Sequence, residues 1–441
     1  MKYLASLCLL IVMSTAQAQH HPLLQSGPMP GYTDMLETTL WVQTKAPAKV
    51  QIAYWNAAGK ADTLLTEPVT TQKHSAYTAK LVADKVQPGQ KYNYQLRIDG
   101  KAVSLPYPTQ FQTLPLWQWR ADPPNFTLAT GSCNYVNEPD YDRPGQGYGS
   151  DHHIFKAIHD RRPDVMLWLG DNTYLREPDW NTRTGILYRN THSRSLPELQ
   201  PLLASTHHYA IWDDHDFGPN DSDGSFPFKD LTYEAFQLFW PNPSFGVNGQ
   251  KGITTFFQWA DIDFFLLDNR YFRTANNRKT GDMQILGAEQ IDWLISALSN
   301  SRSPFKIVAI GGQVLNTAPV HENYIHFHAA EREFLLKRIE EEKIKGVIFL
   351  TGDRHHTEMS KLVNKAGNTV YDLTTSPLTA GTARASEDEP NIYRIPGTMV
   401  VGKHNFSTLE FSGPRTARVL TIRVFDAEGA QLWQREIKAR E

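Results

Sequence analysis

The stretch "HYAIWDDHDFGPND", His208–Asp221, begins as an apolar strand and breaks into Asp213, Asp214, His215 and Asp216, with Asp221 close behind. Like charges a few ångströms apart repel by roughly 1 kcal/mol per pair in water, and by more where water is scarce. A carboxylate knot at the end of a hydrophobic run therefore either faces a cation or marks a solvated turn, since Asp, Asn, Gly and Pro all suit turns.

The same arrangement recurs along the chain. "FTLATGSC" (126–133) runs into Gly131-Ser132-Cys133-Asn134, and "DVMLWLGDNTYL" (164–175) into Gly170-Asp171-Asn172-Thr173-Tyr174. "GVIFLTGD" (346–353) runs into Gly352-Asp353-Arg354-His355-His356. Between these strands lie segments with helical spacing: "DHHIFKAIHDRRP" (151–163), "LPELQPLLAST" (196–206), "GAEQIDWLISALSNS" (287–301) and "AAEREFLLKRIEEEKIK" (329–345). "IDFFLLDNR" (262–270) and "FKIVAIGG" (305–312) read as two more strands. Strands alternating with helices predict an α/β core, and ligands in such folds gather at the carboxyl ends of strands. Four rich loops at that one point of the topology predict a metal cluster. The tail, "GTMVVGKH" (397–404), "STLEFSG" (407–413) and "RVLTIRVFDAEGAQLWQREI" (418–437), returns to strands and is expected to complete a sheet.

The first part of the chain is different. "TTLWVQT", "KVQIAYW", "HSAYTAKLV" and "KYNYQLRIDGKAV" alternate or run apolar, with turn signals at Pro88-Gly89 and Asp99-Gly100. They predict a small β-sandwich of fibronectin or immunoglobulin type over residues 30–112. The proline-bearing Gln112–Asn125 then serves as a linker to the α/β domain, residues 126–441. Ahead of the sandwich, Lys2, the apolar Leu4–Met13 and Ala16-Gln17-Ala18 make residues 1–18 a signal peptide. That predicts a periplasmic or secreted protein with no membrane span. Removal of the signal takes Cys8 with it and leaves Cys133 as the single thiol, which is either a buried core residue or a functional one. The formal charge of −3 gives no reason to expect a nucleic-acid binder, other than with nucleic acid as substrate, or an anionic-membrane binder.

In combination, "LGDNTY", "WDDHDFGPND" and "TGDRHH", following "GSC" and an N-terminal β-domain, resemble the PhoD-like alkaline phosphatases of the calcineurin-like metallophosphoesterase superfamily. The resemblance covers essentially the whole chain after the signal and implies an α/β/β/α sandwich. "GD" followed by tyrosine also resembles the purple acid phosphatases, which use such a tyrosine on iron. Aspartate in "DDH" stands where distant relatives have the asparagine of "GNH", and Asp353 where they have a histidine.

The resemblance implies a metal set of Cys133, Asp171, Tyr174, Asp214, Asn220, Asp353 and His355, with Asp171 bridging. Thiolate and phenolate donors suit a strongly Lewis-acidic metal, and ferric iron is what the resemblance implies. Asp214 and Asn220 offer hard oxygens suited to calcium, with magnesium, manganese or zinc as alternatives. Tyr174 as a core tyrosine and Asn220 as a turn-former remain open. His215 reads as a proton donor to the leaving oxygen, or as a partner of the acidic ligands. Arg354 reads as a phosphate clamp, or as charge balance. Asp213 and Asp216 are taken as supporting or turn residues, and His152, His153, His207, His208 and His356 as exposed. The expected function is hydrolysis of phosphate esters by a metal-activated hydroxide, in a monomer. A phosphodiesterase or phospholipase-type activity is the alternative within enzymes, and a non-catalytic surface-binding protein the alternative outside them. The segments Glu177–Glu198 and Ser222–Lys251 are expected to shape the pocket.

Overall fold

The computed structural model describes residues 21–59, 62–320, 322–383 and 388–439, so the signal-peptide reading of residues 1–18 falls outside it. Among the described residues no helix is long and apolar enough to cross a membrane.

The core of the larger lobe is two six-stranded mixed sheets. In the first, the order is His207–Ile211, Val165–Leu169, Phe126–Gly131, Asn405–Ser412, Val419–Asp426 and Gln431–Lys438; the first three run parallel and the rest antiparallel. The second has the order Thr255–Trp259, Ile262–Leu266, Lys306–Ala309, Val347–Thr351, Thr369–Thr374 and Glu358–Val363, parallel in the middle and antiparallel at both edges.

Strand Val347–Thr351 shows why the sheets layer as they do. Every residue in it is buried, so alternate side chains feed two different cores. Ile348 and Leu350 join Leu128, Leu167 and Phe411 between the sheets. Val347 and Phe349 join Leu294 of helix Ala288–Asn300 and Leu335 of helix Tyr324–Glu341 on the far side.

The N-terminal lobe is two antiparallel sheets around one apolar core that includes Leu40, Val50, Tyr94 and Phe111. Leu24–Thr33, Thr38–Thr44 and Thr78–Ala83 make one sheet; Lys49–Asn56 and Lys91–Ile98 are the long strands of the other. This lobe is sewn to the larger one. Trp41 is fully buried against helix Lys229–Phe239 of the large lobe: its ring centroid lies 5.9 Å from that of Phe239, and its Nε1 donates to the Leu238 carbonyl at 2.9 Å. His207 donates from Nδ1 to the Gly31 carbonyl at 2.8 Å and accepts at Nε2 from the Gln112 amide at 3.0 Å.

That arrangement corrects the expectation for several histidines. His207, His208 and His356 are buried, His152 is half-buried, and only His153 is exposed. Burial drives the His207 imidazole down to about 4, so it is a neutral ring that can donate and accept at once. His208 likewise accepts from Trp168 Nε1 at 3.0 Å and donates to the Leu202 carbonyl at 3.1 Å. A second correction concerns "GTMVVGKH", which holds an isolated bridge at Val400 and no strand. The polar stretches with no predicted element contain two helices, Arg183–Arg194 and Lys229–Phe239.

Candidate metal centre

Strands Phe126–Gly131, Val165–Leu169 and His207–Ile211 are parallel neighbours, so their carboxyl ends deliver three loops side by side. Val347–Thr351 brings the fourth from the opposite sheet. The loops touch through backbone. The Cys133 amide donates to the Gly170 carbonyl at 3.2 Å, and the Asn134 amide to the Asp171 carbonyl at 2.8 Å. At Gly170, φ is +93° and a Cβ would lie 2.7 Å from Asp213 Cβ; at Gly352 it would lie 2.6 Å from Ser132 Cβ. Larger residues would hold the loops apart.

Four candidate ligands have left-handed backbone: Cys133 (φ 63°), Asp171 (51°), Asp353 (65°) and His355 (53°). Such conformations cost a non-glycine residue roughly 1–3 kcal/mol each and persist where surrounding structure enforces them, typically at functional sites. Here all four lie within four residues of a strand end.

The result is three overlapping clusters, each with one ligand atom per residue and all within 4.8 Å of one another: Cys133–Asp171–His355, Asp171–Asp214–His215 and Asp213–Asp214–Asp353. Asp171 belongs to the first two and Asp214 to the last two, so adjacent cations would share a carboxylate. Tyr174 completes the first cluster, with Oη 3.3 Å from Asp171 Oδ2 and 3.3 Å from His355 Nε2. Cys133 Sγ lies 3.6 Å from Asp171 Oδ2. The Gly381 carbonyl receives His355 Nδ1–H, which fixes the tautomer and leaves Nε2 facing the cluster, as a ligating histidine requires.

The electrostatics are those of an anion cage. Burial, then Asp214, Cys133 and Asp213, push the Asp171 carboxyl well above its ordinary range. Burial, then Asp213, Glu322 and Asp214, do the same to Asp353. Burial also raises the Cys133 thiol to about 12 and holds the Tyr174 phenol well above its usual value, with Cys133 and Asp171 adding to it. Asp214 Oδ1 and Asp213 Oδ2 are buried acceptors without a donor among the described residues. Orphaned carboxylate oxygens facing one another cost several kcal/mol unless a cation pairs with them. The donor set therefore fits metal ions: sulfur, phenol and imidazole at one end, carboxylates at the other.

His215 stands inside the second cluster, with its ring centroid 4.1 Å from that of Tyr174 and Nε2 3.9 Å from Asp214 Oδ2. Burial lowers its pKa, leaving a neutral imidazole able to ligate, a role the sequence reading did not assign. Arg354 is engaged elsewhere: Nη2 pairs with Glu389 at 2.9 Å, and Nη1 reaches Asn323 at 2.9 Å and Gln313 at 3.2 Å. Asn220 is exposed; the adjacent Asp221 amide donates to Asp214 Oδ2 at 2.7 Å, tying this turn to the site. Asp216 takes the supporting position of its two sequence readings. Its Oδ2 accepts from the Asp213 amide at 3.0 Å and the Asn172 amide at 3.2 Å, which ties two of the four loops together.

Sequence reasoning missed Arg270. Fully buried, it donates to Asp213 and to Glu322, lies 3.7 Å from Asp214 Oδ1, and so balances part of the cage from behind. Arg273 lies 3.4 Å from Glu322, and Asn269 donates to Asp213 at 2.7 Å. The signal was present: "IDFFLLDNR" is a fifth strand ending in polar residues at the same end of the sheets.

The sequence model of the PhoD-like phosphatase family matches residues 128–414, and residues 21–116 match a family described only as a domain of unknown function. Alkaline phosphatase D of Bacillus subtilis is 23% identical over 343 residues, covering 65% of this chain and 54% of that protein. The match thus spans about half the length of that relative. Among solved structures, that of PhoD superposes with a TM-score of 0.71 at 17% identity, covering 94% of this chain and 92% of that one. A purple acid phosphatase from yellow lupin (Lupinus luteus) seeds superposes at 0.69 and 12% identity, covering 93% and 74%. Both likenesses are of fold.

Proposed function

The chain belongs to the PhoD-like phosphatase family, and on that premise we propose that it is an exported, metal-dependent phosphoric ester hydrolase. The observation that carries the reading is the sharing of Asp171 between the cluster holding Cys133 and His355 and the cluster holding Asp214 and His215. A carboxylate so placed would be available to both of two neighbouring cations, whose Lewis acidity would serve one phosphoryl group. Ferric iron is proposed for the Cys133–Tyr174–His355 end, because thiolate and phenolate favour it, and calcium for the carboxylate end.

Bound cations supply Lewis acidity toward water and toward phosphate oxygens. The protein's own groups do the rest. Asp171, Asp214 and Asp353 would hold the cations. Neutral His215, packed on Tyr174, is positioned to ligate or to pass a proton at Nε2. Arg354 meets substrate only on leaving Glu389, so its role as phosphate clamp is proposed together with that exchange of partners. The N-terminal lobe is read as a fibronectin- or immunoglobulin-type sandwich, supported by its antiparallel sheets and shared core. Location outside the cytoplasm, supported by the N-terminal sequence pattern, and a monomeric state belong to the same proposal.

The test is metal analysis combined with hydrolysis of a generic phosphomonoester and a phosphodiester. Bound metal with turnover supports the enzyme, and the ratio of the two rates ranks the ester classes. Protein with neither metal nor turnover after reconstitution overturns it in favour of a binding role.

A further inference from the structure

The loop that leaves Cys133 returns to the site at Tyr148. Its Oη lies 3.3 Å from His355 Nδ1, and its ring centroid is 6.1 Å from that of His355, 6.3 Å from Tyr174 and 4.9 Å from Tyr135. Tyr174 and Tyr135 are buried, whereas Tyr148 is 49% exposed, so an aromatic surface begins at the ligands and opens to solvent at this one ring.

The ring is seated rather than loose. Gly147 and Gly149 flank it: a Cβ on Gly149 would lie 2.8 Å from the Tyr135 carbonyl oxygen, and one on Gly147 3.1 Å from Asn137 Oδ1. The Asn137 side chain grips Gly149 from both sides, accepting from its amide at 2.9 Å and donating to its carbonyl at 2.7 Å. Beneath, Gly381 leaves the space that the ring fills, since a Cβ there would meet Tyr148 Cε2 at 2.7 Å. Two glycines and an asparagine thus hold an apolar ring at the edge of a charged cluster, where solvation alone would favour a polar side chain.

We propose that Tyr148 sets the substrate preference of this site: its open face is the wall on which the planar leaving group of a phosphate ester packs while the phosphoryl group meets the metal cluster. Aryl and heteroaryl phosphate esters are then taken in preference to small alkyl ones. The inference rests on the phosphoesterase reading and names its substrate class. The phenol hydroxyl is secondary in it, because ring face and buried area supply the attraction.

The experiment is calorimetric titration of the metal-loaded protein with phenylphosphonate and methylphosphonate, which mimic the two ester classes without turning over. Wild type is expected to bind the phenyl compound about tenfold more tightly. Tyr148→Phe is expected to keep that ratio, and Tyr148→Ala to bring it close to one, with metal content equal in all three proteins. A wild-type ratio near one, a ratio kept in Tyr148→Ala, or metal lost from Tyr148→Ala alone would overturn the proposal; the last would make Tyr148 a support for His355. Hydrolysis of p-nitrophenyl phosphate by wild type, run alongside, separates the two ideas. Turnover with a ratio of one removes only the role of Tyr148, whereas absence of both turnover and phosphonate binding removes the phosphoesterase reading with it.

Discussion

Replacing Arg270 with methionine keeps most of the buried volume and removes a single charge. Arg270 is fully buried and contacts Asp213, Glu322 and, at 3.7 Å, Asp214. Breaking a buried ion pair from one side costs about 3–5 kcal/mol, because the remaining charge stays buried without compensation. In a chain of 441 residues that corresponds to a melting temperature lower by roughly 3–5 °C. The pH dependence sharpens the expectation. Burial, opposed by Arg270 and reinforced by Asp214, raises the Asp213 carboxyl to about 6. A raised carboxyl contributes stability that is fully present below its unfolded value near 3.9 and is lost as pH rises through the folded value. Without Arg270 that folded value climbs further. Glu322 behaves in the same direction: Arg270 and Arg273, against burial, hold it below its ordinary range, so the stability it brings above pH ~4.3 disappears with the arginine. The deficit of Arg270→Met should therefore grow between pH 5 and pH 8. Thermal melts of the metal-free proteins across that range measure it. A variant that melts within ~1 °C of wild type at pH 8, or whose deficit shrinks as pH rises, would refute the charge-balance argument.

Asp171→Ala should abolish turnover and strip most of the bound metal while leaving the far-ultraviolet dichroism unchanged; near-normal activity would remove the shared-carboxylate assignment. Chelation should destabilise the protein more at pH 8 than at pH 5: burial, with neighbouring carboxylates adding to it, raises Asp213 to about 6 and Asp216 to about 7, so the acidic cluster is charged and needs cations only at the higher pH. A metal-dependent stabilisation independent of pH contradicts this. Protein prepared with iron should show a visible absorption band that shifts or disappears in Tyr174→Phe and Cys133→Ser; a colourless, active, iron-free wild type eliminates iron but not the hydrolase. Arg354→Lys should raise KM for phosphate esters more than it lowers kcat, since a bidentate fork becomes a point charge; an unchanged KM for every ester tested removes the clamp.

Four candidate ligands were legible in the sequence because each lies within two residues of the end of an apolar run: Cys133 after "FTLATG", Asp171 after "VMLWLG", Asp214 after "HYAIW", Asp353 after "VIFLTG". Periodicity alone places such residues at one end of a parallel sheet. What supports them was harder to read. Arg270 follows a strand in the same manner, but an arginine among polar residues carries no ligand signature. The buried histidines show the complementary failure. Imidazole is polar in composition but can be neutral in a core, and only the partners of His207, Gly31 and Gln112, both distant in sequence, reveal which. Helix Arg183–Arg194 escaped notice because Arg189 and Arg194 occupy its buried side, where the ion pair to Asp179 at 2.7 Å and the Trp240 ring replace the usual apolar stripe.

The stitching of the N-terminal lobe into the large one carries a consequence for the order of assembly. Trp41 finds its indole partner at Leu238, and Gly31 and Gln112 find theirs at His207, so the earliest part of the chain waits for more than half of it to emerge. Contacts of such long sequence separation slow folding, since the loop between them must close before they reward it. Until then the indole that packs on helix Lys229–Phe239 has no apolar partner there. Once folded, the two lobes should unfold in one transition, with far-ultraviolet dichroism and total tryptophan fluorescence lost together.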